Sequence, residues 1–432
     1  MVRFFYKERI EESMQHEIIT SIDFGSKKIS ASMATNDKNG EMDILGVMSC
    51  KSTGIEKGCI IDTDKCRNDV FGLIKDLEIA TKEKVGNVCI GISARNIIIR
   101  ETLTLIDLDN KYITSEIIKK GIEKSKKNIL LKENQCVVDV VVNFYILDGK
   151  VIYKDIINEK GKKLEINISV LVGEKEEINK YKNIFKNSEY SVMYTMLNIL
   201  SGKQIFLNEK NSLGNIALVD IGAGVCDICL FNNGIPKYLG SIPLGGNNIS
   251  NDLAICGGFS FMEADNIKVI YSGNYESLYN DNALGEYIEV GTTKVSRKLF
   301  YEVTNARIEE ILIHIDMELK KTSHYDGICS IILYGDGLSY FENITQFGKD
   351  VIKLYTKFIT NDDLGIKNSE NITSLALAKD VYDRMNLIYY DDLGQMAENN
   401  KIGEKKFLLY DEEEKEKDRI LKKVKCFFNK IF

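Results

Sequence analysis

The feature that most constrains the fold is an internal repeat of a strand, an aspartate, a glycine turn and a second strand. The first copy, IITSIDFGSKKISASMA, covers residues 18–34, and the second, IALVDIGAGVCDICLFN, covers residues 216–232. In each copy an apolar run ends in an aspartate, Asp23 or Asp220, and the chain turns at glycine before it alternates again as a strand. The same plan in each half of the chain predicts two related lobes.

The bulk composition is that of a soluble globular protein with more than one domain. A chain of 432 residues is too long for one ordinary core, and 44% of its residues are hydrophobic while 28% are charged. The net charge of -7 does not indicate a nucleic-acid partner. The first residues carry charges where a signal peptide is apolar, and no run reaches the ~18 apolar residues of a membrane-spanning helix. We therefore expect the body of the protein in the cytosol.

Two other interpretations of the second copy fail. Gly222-Ala-Gly224 resembles the start of a dinucleotide-binding fingerprint, but the third glycine position holds Asp227, and the following residues alternate as a strand instead of opening a helix. Cys226 and Cys229 form a C-x-x-C pair, but residues three apart on a strand point to opposite faces and cannot bind one metal ion together. The three histidines are isolated in the sequence. Neither a metal hydrolase nor a cysteine nucleophile is predicted.

A strand followed by an aspartate and a glycine turn suits phosphate binding. A glycine-rich turn lets backbone amides approach phosphate oxygens, and an aspartate at a strand end holds Mg²⁺, usually through water. Two such hairpins can bind the phosphates of a nucleotide from both sides, with Asp23 and Asp220 as the Mg²⁺ residues. The predicted phosphate-binding residues are Asp23, Gly25, Ser26 and Lys27 in the first hairpin and Asp220, Gly222, Ala223 and Gly224 in the second.

Further nucleotide contacts are predicted in the second half. Glycines after the strand in ILYGDGLSY let a base or ribose lie against bare backbone. In EADNIK an acid and a lysine three residues apart share a helix face and can reach ribose hydroxyls, although such spacing is also common in surface ion pairs. A glycine pair precedes a helix that we expect to be capped near Asn248 or Ser250. These segments contribute Gly246, Asp265, Lys268, Gly335, Asp336 and Gly337.

Composition and periodicity divide the chain into lobes, an insertion and a tail. Three antiparallel strands, a helix and a strand precede a small α+β insertion, and residues 174–207 have the spacing of a long helix. An acidic stretch then follows the last globular helix. The predicted parts are an arm at 1–16, lobe I at 17–96 and 173–212, an insertion at 97–172, lobe II at 213–235 and 296–388, a smaller subdomain at 236–295, a linker at 389–418 and a C-terminal helix at 419–432.

The C-terminal helix, RILKKVKCFFNKIF, is predicted to be amphipathic. Its apolar side chains fall within one arc of a helix, and its basic side chains lie on the opposite side. A helix of this length spans only ~21 Å, which is too short to cross a bilayer. The pattern favours an interfacial helix on anionic lipid over a terminal helix packed on the body, because the acidic linker separates it from the globular part. The predicted membrane-binding residues are Ile420, Leu421, Lys422, Lys423, Val424, Phe427, Phe428, Ile431 and Phe432.

Taken together, these motifs resemble the actin/Hsp70/sugar-kinase ATPase superfamily and, within it, the bacterial cell-division family FtsA. The resemblance covers roughly residues 17–387 and the extreme C-terminus. It rests on the tail, on the position of the insertion at 97–172, and on the motifs SIDFGSKKI, VDIGAGVCDI, LGGNNISNDLA, EADNIK, RIEEI and LYGDGLSYFENI.

The resemblance implies an α/β, two-lobed actin/Hsp70-like fold with an inserted α+β subdomain, and ATP with Mg²⁺ as ligands. In this family the insertion contacts neighbouring subunits of a filament, and the smaller subdomain of lobe II binds the C-terminal tail of the tubulin-like protein FtsZ. The implied partners are therefore FtsZ, other copies of the chain, anionic membrane lipids and other division proteins, with no nucleic acid. The implied location is the cytoplasmic face of the cell membrane at the division site, with peripheral attachment.

Three departures from the family pattern indicate weak or absent ATPase activity. The second loop usually reads D-I-G-G-G-T-T, whereas Val225 and Cys226 here remove two hydroxyls. Asp336 interrupts a loop that is usually G-G-G or G-G-S. The segment SVMYTMLNILSGK, which would carry an acidic water-positioning residue, contains no acid, and hydrolysis needs a water aligned for in-line attack.

Two alternative functions remain open within the same superfamily. A sugar or acid kinase would share the ATP fold, but it would need a base for its substrate hydroxyl and has no use for a cationic amphipathic tail. An actin-like ATPase of pilus assembly would share the insertion but recruits the membrane through partners. We expect a nucleotide-dependent, filament-forming tether between FtsZ and the membrane.

Overall fold

The computed structural model describes residues 18–36, 42–153, 156–207, 214–359 and 371–397. The arm predicted at 1–16, the linker beyond Ala397 and the C-terminal helix predicted at 419–432 lie outside these residues.

The first half of the chain forms lobe I and an insertion. Lobe I begins with β1 (Ile19–Phe24), β2 (Lys28–Asn36), β3 (Met42–Lys51), β4 (Ile55–Glu56), β5 (Cys59–Ile60), α1 (Thr63–Thr81) and β6 (Asn87–Ile92). The insertion consists of β7 (Ile98–Asp107), α2 (Ser115–Lys127), β8 (Gln135–Leu147), β9 (Lys150–Ile152) and β10 (Lys163–Glu174). Lobe I then resumes with α3 (Lys175–Ile184), β11 (Ser191–Leu197) and α4 (Asn198–Phe206).

The second half forms lobe II and a final helix. Its main elements are β12 (Asn215–Ile221), β13 (Cys226–Asn232), β14 (Ile235–Ile242), α5 (Gly246–Gly257), α6 (Phe261–Tyr271), α7 (Tyr275–Asn280), β15 (Tyr287–Val290), β16 (Thr293–Ser296), α8 (Arg297–Lys320), β17 (Ile328–Tyr334), α9 (Ile344–Val351) and β18 (Thr356–Phe358). The chain then returns to lobe I as α10 (Ile372–Ala397).

The internal repeat predicted from the sequence is confirmed by the sheets. Lobe I has the strand order β11-β6-β1-β2-β3, and lobe II has the order β18-β17-β12-β13-β14. In both lobes the repeated hairpin is antiparallel, and its first strand pairs in parallel with a later strand, β6 or β17. Asp23 and Asp220 occupy equivalent places in the first strand of each hairpin.

Strand β1 is the middle strand of the lobe I sheet, and helices cover both faces of that sheet. All six of its residues are buried. Ile22 packs into the same core as Ile74 of α1. On the other face, the hydroxyl of Ser21 donates a hydrogen bond of 2.6 Å to the Ser374 carbonyl at the start of α10. Ser21 and Asp23 of this strand are therefore buried with hydrogen-bond partners, whereas the Thr20 hydroxyl is buried without one among the described residues.

The insertion is a separate four-stranded sheet in the order β7-β10-β8-β9 with its own core. Gly121 of α2 lies close to Ile166 of β10, so the helix packs directly on the sheet. An ion pair joins the insertion to α10: the Arg384 guanidinium donates to both carboxylate oxygens of Asp139 at 2.7 and 3.0 Å. Arg384 also contacts Asp380, and all three side chains are largely buried.

The long helix expected over residues 174–207 is wrong. Helix α3 ends at Ile184, and Asn187 has a positive φ of 59°. The chain then forms β11, which pairs in parallel with β6. The short apolar run of β11 has no polar alternation, and such a run cannot be told from a helix by periodicity alone.

Two predicted boundaries also differ from the observed elements. Strand β14 belongs to the main sheet of lobe II and continues it to Ile242, past the predicted start of the smaller subdomain at 236. Helix α10 continues to Ala397, past the predicted start of the linker at 389. At the first boundary Gly234 and Pro236 mark only the tight turn between β13 and β14, not the end of the sheet. At the second, no glycine or proline stands immediately around residue 389 to mark an end.

The opposite orientation of the two C-x-x-C cysteines is confirmed. Cys226 packs in the core of lobe II, whereas Cys229 packs in the core shared with lobe I. Both are free thiols. They are structural residues of β13.

Candidate functional site

The two predicted phosphate hairpins meet where the lobes face each other. One connects β1 to β2, and the other connects β12 to β13. A Cβ atom added to Gly224 would lie 2.8 Å from Ser26 Oγ, so the two turns are in contact. Ser26 Oγ also accepts a hydrogen bond of 3.0 Å from the amide of Gly58. Gly25 is required in the first turn, since a Cβ there would lie 2.5 Å from the Lys28 carbonyl.

The tips of these hairpins carry unpaired backbone amides. Within the described residues, the amides of Ser26, Lys27, Ala223 and Gly224 donate to no acceptor of the chain. Clustered amides in tight turns form a concave site for an anion. The local backbone therefore fits the phosphate groups predicted to bind here.

Glycine-rich backbone of lobe II supports the second hairpin from behind. The amide of Gly337 donates to the Ile221 carbonyl at 2.8 Å, and the amide of Gly246 donates to the Gly222 carbonyl at 3.0 Å. A Cβ atom on Gly337 would lie 2.4 Å from the Gly222 carbonyl oxygen, so only glycine allows this approach. Because the hairpin carbonyls are already bound, the hairpin offers amides rather than carbonyls to a ligand.

The predicted start of helix α5 near Asn248 or Ser250 is wrong. The helix begins at Gly246, and Asn248 accepts a hydrogen bond of 2.9 Å from the Gly245 amide. The first helical amides donate to hairpin carbonyls, including that of Ala223 at 2.8 Å from the Asn247 amide. Backbone oxygens of the hairpin thus accept the hydrogen bonds that the first helical amides would otherwise donate to a capping side chain.

The two aspartates differ in how they are held. Asp23 is buried and accepts hydrogen bonds from Asn198 Nδ2 at 2.7 Å and from the Ser30 hydroxyl at 3.5 Å. Burial raises the pKa of Asp23 to about 6, against the opposing effect of Lys28. The carboxylate of Asp220 accepts no hydrogen bond from the described residues, and part of the residue stays exposed. Burial, followed by the charges of Asp227 and Asp23, raises the pKa of Asp220.

Asn198 and Asp227 are two of the site residues that were not predicted from the sequence. Asn198 stands at the start of α4, within the segment expected to position a water, and its Oδ1 is buried without a partner. Asp227 lies opposite Asp220 in the β12–β13 ladder and accepts hydrogen bonds from Ser93 Oγ at 2.9 Å and the Ala94 amide at 3.0 Å. It therefore links the lobes. The only signal for Asp227 was an acid in an otherwise apolar strand.

Asp265 and Lys268 do share one face of α6, as predicted. Their charged atoms are 2.8 Å apart, and Lys268 is buried, which excludes an ordinary surface ion pair. Lys268 also donates to the Gly246 carbonyl at 2.9 Å and to Ser250 Oγ at 2.7 Å. Burial acts to raise the pKa of Asp265, but the ion pairs with Lys268 and Lys27 lower it to about 2.

The loop after β17 approaches the second hairpin. Gly335 has a φ of 99°, and a Cβ there would lie 2.4 Å from Asp220 Oδ1. The side chain of Asp336 reaches across to lobe I, where it forms an ion pair of 2.7 Å with Lys28 of the first hairpin. The sequence predicted Lys27 as a site residue but missed Lys28.

The site fits a divalent cation bound mainly through phosphate and water. No group of three or more His, Cys, Asp or Glu side chains in the part of the chain that the structure describes is arranged to bind a metal. A nucleotide-associated Mg²⁺ keeps several waters and uses few protein carboxylates. Asp23 and Asp220 fit that requirement.

A cavity lies beside the hairpin tips, between the lobes. Its volume is about 200 Å³, and its lining includes Ser26 and Lys57 from lobe I and Gly224, Asn247 and Phe261 from lobe II. Typical small-molecule sites have volumes of ~300–1,000 Å³. This cavity is therefore smaller than a typical small-molecule site, and its lining does not include Asp23, Asp220 or Asp265.

The described residues do not test the predicted membrane attachment. None of their helices is long and apolar enough to span a bilayer. The predicted membrane-binding residues, from Ile420 to Phe432, lie outside the described part of the chain.

Comparisons with known proteins identify relatives over most of the chain. Residues 217–377 match the family model described as "Cell division protein FtsA". The FtsA of Neisseria meningitidis is 24% identical over 81% of this chain and 86% of its own length. The FtsA of Bacillus subtilis is also 24% identical, over 84% of this chain and 83% of its own. A chain of the PilM-PilN type IV pilus biogenesis complex superposes with a TM-score of 0.57 at 11% identity, over 86% of this chain and 98% of that one.

Proposed function

We propose that this divergent member of the FtsA family, an actin-like cell-division protein, is an ATP-dependent filament-forming tether. In this proposal ATP and Mg²⁺ bind between the two hairpins, protomers polymerise at the inner face of the membrane, and the filament holds FtsZ there. The FtsA relatives favour this function over the kinase and pilus-assembly alternatives. The fold likeness to the pilus protein concerns architecture alone.

The observation that carries the nucleotide part is the pair of facing hairpins with unpaired amides. The amides of Ser26, Lys27, Ala223 and Gly224 would bind phosphate oxygens from both lobes. Asp220 would hold the water shell of Mg²⁺, with Asp23 fixed beside it by Asn198. When bound, ATP supplies a phosphate charge that both lobes can contact at once.

Weak or absent hydrolysis is also part of the proposal. Asn198 occupies the segment in which an acidic water-positioning residue was expected, and an amide cannot accept a proton as a carboxylate does. Its Nδ2 is engaged by Asp23. The site therefore supports binding of ATP better than rapid turnover.

The smaller subdomain of lobe II has an apolar surface suited to the FtsZ tail. Several large apolar side chains of α5 and α6 are exposed, and Met262 and Val269 lie two helical turns apart on α6. Scattered exposed apolar residues are ordinary, whereas a group on adjacent elements favours a protein partner. The exposed residues are Ile255, Phe261, Met262, Val269 and Ile270.

Membrane attachment would come from residues 419–432. A single short amphipathic helix binds weakly, but a filament joins many of them and raises the avidity steeply. Polymerisation and membrane binding are therefore linked in this proposal. The helix predicted at 419–432 would supply both the apolar side chains, such as Phe427 and Phe428, and the basic ones, such as Lys422 and Lys423.

The test is electron microscopy of the protein with ATP and Mg²⁺ on an anionic lipid monolayer, paired with sedimentation on anionic vesicles. We expect filaments on the monolayer and co-sedimentation with vesicles. Deletion of residues 419–432 should abolish co-sedimentation, and so should the double substitution Phe427→Ser and Phe428→Ser, which keeps every charge. Unchanged sedimentation of the deleted protein would disprove the anchor, and an absence of filaments would favour the kinase alternative.

A further inference from the structure

Two ion pairs cross the cleft from the first hairpin to lobe II. Lys27 Nζ lies 2.7 Å from Asp265 Oδ2, and Lys28 Nζ lies 2.7 Å from Asp336 Oδ2. The partners are far apart in the sequence, and in each pair the lysine belongs to lobe I and the carboxylate to lobe II. Adjacent residues of one turn thus bind two separate elements of the opposite lobe.

Both carboxylates are residues that the sequence assigned to the nucleotide. In Asp265, Oδ1 already accepts from Ser250 Oγ and from Lys268, so Lys27 occupies the remaining oxygen. In Asp336, Oδ1 accepts from the Tyr340 hydroxyl at 3.1 Å while Oδ2 binds Lys28. A ribose hydroxyl would therefore compete with Lys27 for Asp265 Oδ2.

The same lysines flank the amides proposed to bind phosphate. Lys27 carries one of the four unpaired amides, and Lys28 is the next residue along the chain. A phosphate group at these amides would be a stronger partner for the ammonium groups than a single carboxylate, because it carries more charge. The lysines therefore have two alternative sets of partners, lobe II carboxylates or phosphate.

We propose that Lys27 and Lys28 form an ionic latch that holds the lobes together across the cleft without nucleotide and is released when phosphate enters. The contact between Gly224 and Ser26 agrees with a closed cleft. Release on phosphate entry rests on the proposed function, whereas closure by the latch does not. The latch regulates access to the nucleotide site.

The size of the effect follows from the exposure of the pairs. Lys27 is 49% exposed, and Lys28 and Asp336 are 25% and 32% exposed, so solvent weakens both pairs. We expect the latch to shift the ratio of closed to open cleft by about 3- to 10-fold. Only protein with an open cleft can bind nucleotide, so the apparent affinity is proportional to the open fraction. Loss of the latch raises that fraction and should tighten nucleotide binding by a similar factor.

The closed state can be measured without nucleotide. The chain has no tryptophan, and Phe261 lines the cavity between the lobes, so Phe261→Trp introduces a single reporter of the cleft. We would measure acrylamide quenching of this reporter in wild type, in the double variant Lys27→Met with Lys28→Met, and in Asp336→Gly. The latch predicts stronger quenching in both variants. Quenching equal to wild type in both would overturn it.

A charge exchange and a matched control separate the latch from general charge effects. Combining Lys28→Asp with Asp336→Lys should restore wild-type quenching, since the pair is reversed but kept. Asp326→Gly is the control, because Asp326 is an exposed carboxylate before the other end of β17. Increased quenching in Asp326→Gly equal to that in Asp336→Gly would overturn the latch.

Titration with ATP and Mg²⁺ gives the second arm. Asp336→Gly should bind about 3- to 10-fold more tightly than wild type. If no variant binds ATP, the proposed nucleotide function fails, while the quenching result still decides whether the cleft is latched. If Asp336→Gly opens the cleft but binds ATP no more tightly than wild type, release by phosphate is disproved.

Discussion

Lobe I and lobe II repeat one sheet topology, yet their hairpins bring different chemistry to the cleft. The first hairpin carries side-chain functions: a hydroxyl on Ser26, two ammonium groups on Lys27 and Lys28, and an aspartate fixed by Asn198. The tip of the second hairpin consists of glycine and alanine, and the carboxylate of its Asp220 accepts no hydrogen bond from the described residues. The tip of the first hairpin binds the opposite lobe through Lys27 and Lys28. The second hairpin contacts the opposite lobe through Asp227 of its second strand, while the amides at its tip stay unpaired among the described residues.

The lobes also differ in what is attached to them. Lobe I carries the insertion and receives α10, and Arg384 joins these two through Asp139. Lobe II carries the smaller subdomain with its exposed apolar side chains. The duplicated scaffold thus carries the insertion and α10 on one lobe and a smaller subdomain with exposed apolar side chains on the other.

The largest expected effect concerns the attachment of lobe I. Arg384→Met leaves Asp139 and Asp380 buried without their cation, and removing one partner of a buried ion pair costs about 3–5 kcal/mol. We expect the free energy of unfolding, measured in urea, to fall by that amount. Lys120→Met, which breaks an exposed pair with Glu116, is the control and should lower the free energy of unfolding far less than Arg384→Met. Equal small losses would mean that the insertion is not held by this pair.

The next effect concerns the bare backbone of the second hairpin. Gly337→Ala places a methyl group 2.4 Å from the Gly222 carbonyl oxygen, and such overpacking costs about 1–3 kcal/mol. Because the displaced hairpin carries the predicted phosphate amides, ATP affinity should fall at least tenfold. Gly86→Ala meets no atom within 4 Å and is the control. Full ATP affinity in Gly337→Ala would show that the hairpin tolerates displacement.

The third effect is a pH dependence of the free energy of unfolding, which arises from Asp23 of the first hairpin. Burial raises the pKa of Asp23 from 3.8 to about 6, so the folded state binds its proton more tightly than the unfolded state. The stability contributed by this group is full below about pH 4 and is lost as the pH rises through 6. Asp23→Asn should therefore exceed wild type in free energy of unfolding by about 2–3 kcal/mol at pH 8, with a smaller difference toward pH 4.

Urea unfolding of the nucleotide-free protein across this pH range checks that prediction. Asp326→Asn, an exposed aspartate, should show no such pH-dependent gain. A difference for Asp23→Asn that does not change with pH would mean that ionisation of the buried carboxyl is not its cause.

The smallest expected effect comes from giving the second hairpin a side-chain hydroxyl, as the first hairpin has in Ser26. Val225→Thr keeps the side-chain size and restores a hydroxyl beside the amides of Ala223 and Gly224. One neutral hydrogen bond contributes about 0.5–1.5 kcal/mol, so ATP should bind about 2- to 10-fold more tightly. Val269→Thr, at an exposed site on α6, is the control. Weaker binding in Val225→Thr would indicate that the second hairpin works through its backbone alone.

Much of the architecture was predictable because it depends on local patterns. The repeated motif predicted two related lobes, and the opposite faces of Cys226 and Cys229 followed from strand geometry. The predicted actin-like fold and the resemblance to FtsA are confirmed. The assignment of ATP and Mg²⁺ and of the membrane-binding tail stays a prediction.

Other features could not be predicted because they depend on distant contacts. The pairing of Lys28 with Asp336 joins residues 308 positions apart, and no local pattern indicates it. Helix α5 begins at Gly246 because its amides find hairpin carbonyls rather than a capping side chain. Strand β11 cannot be told from a helix by its local sequence, because its identity is decided by pairing with β6.

The central claim is that a nucleotide is held between the two hairpins, with Asp220 as the carboxylate open to its Mg²⁺. The most direct measurement is calorimetric titration of ATP with Mg²⁺ into wild type, Asp220→Ala and Asp220→Asn, with Asp326→Asn as control and circular dichroism to verify folding. We expect both Asp220 variants to bind at least tenfold more weakly, while Asp326→Asn matches wild type. Unaltered affinity in folded Asp220→Ala and Asp220→Asn would contradict the assignment of the phosphate hairpins.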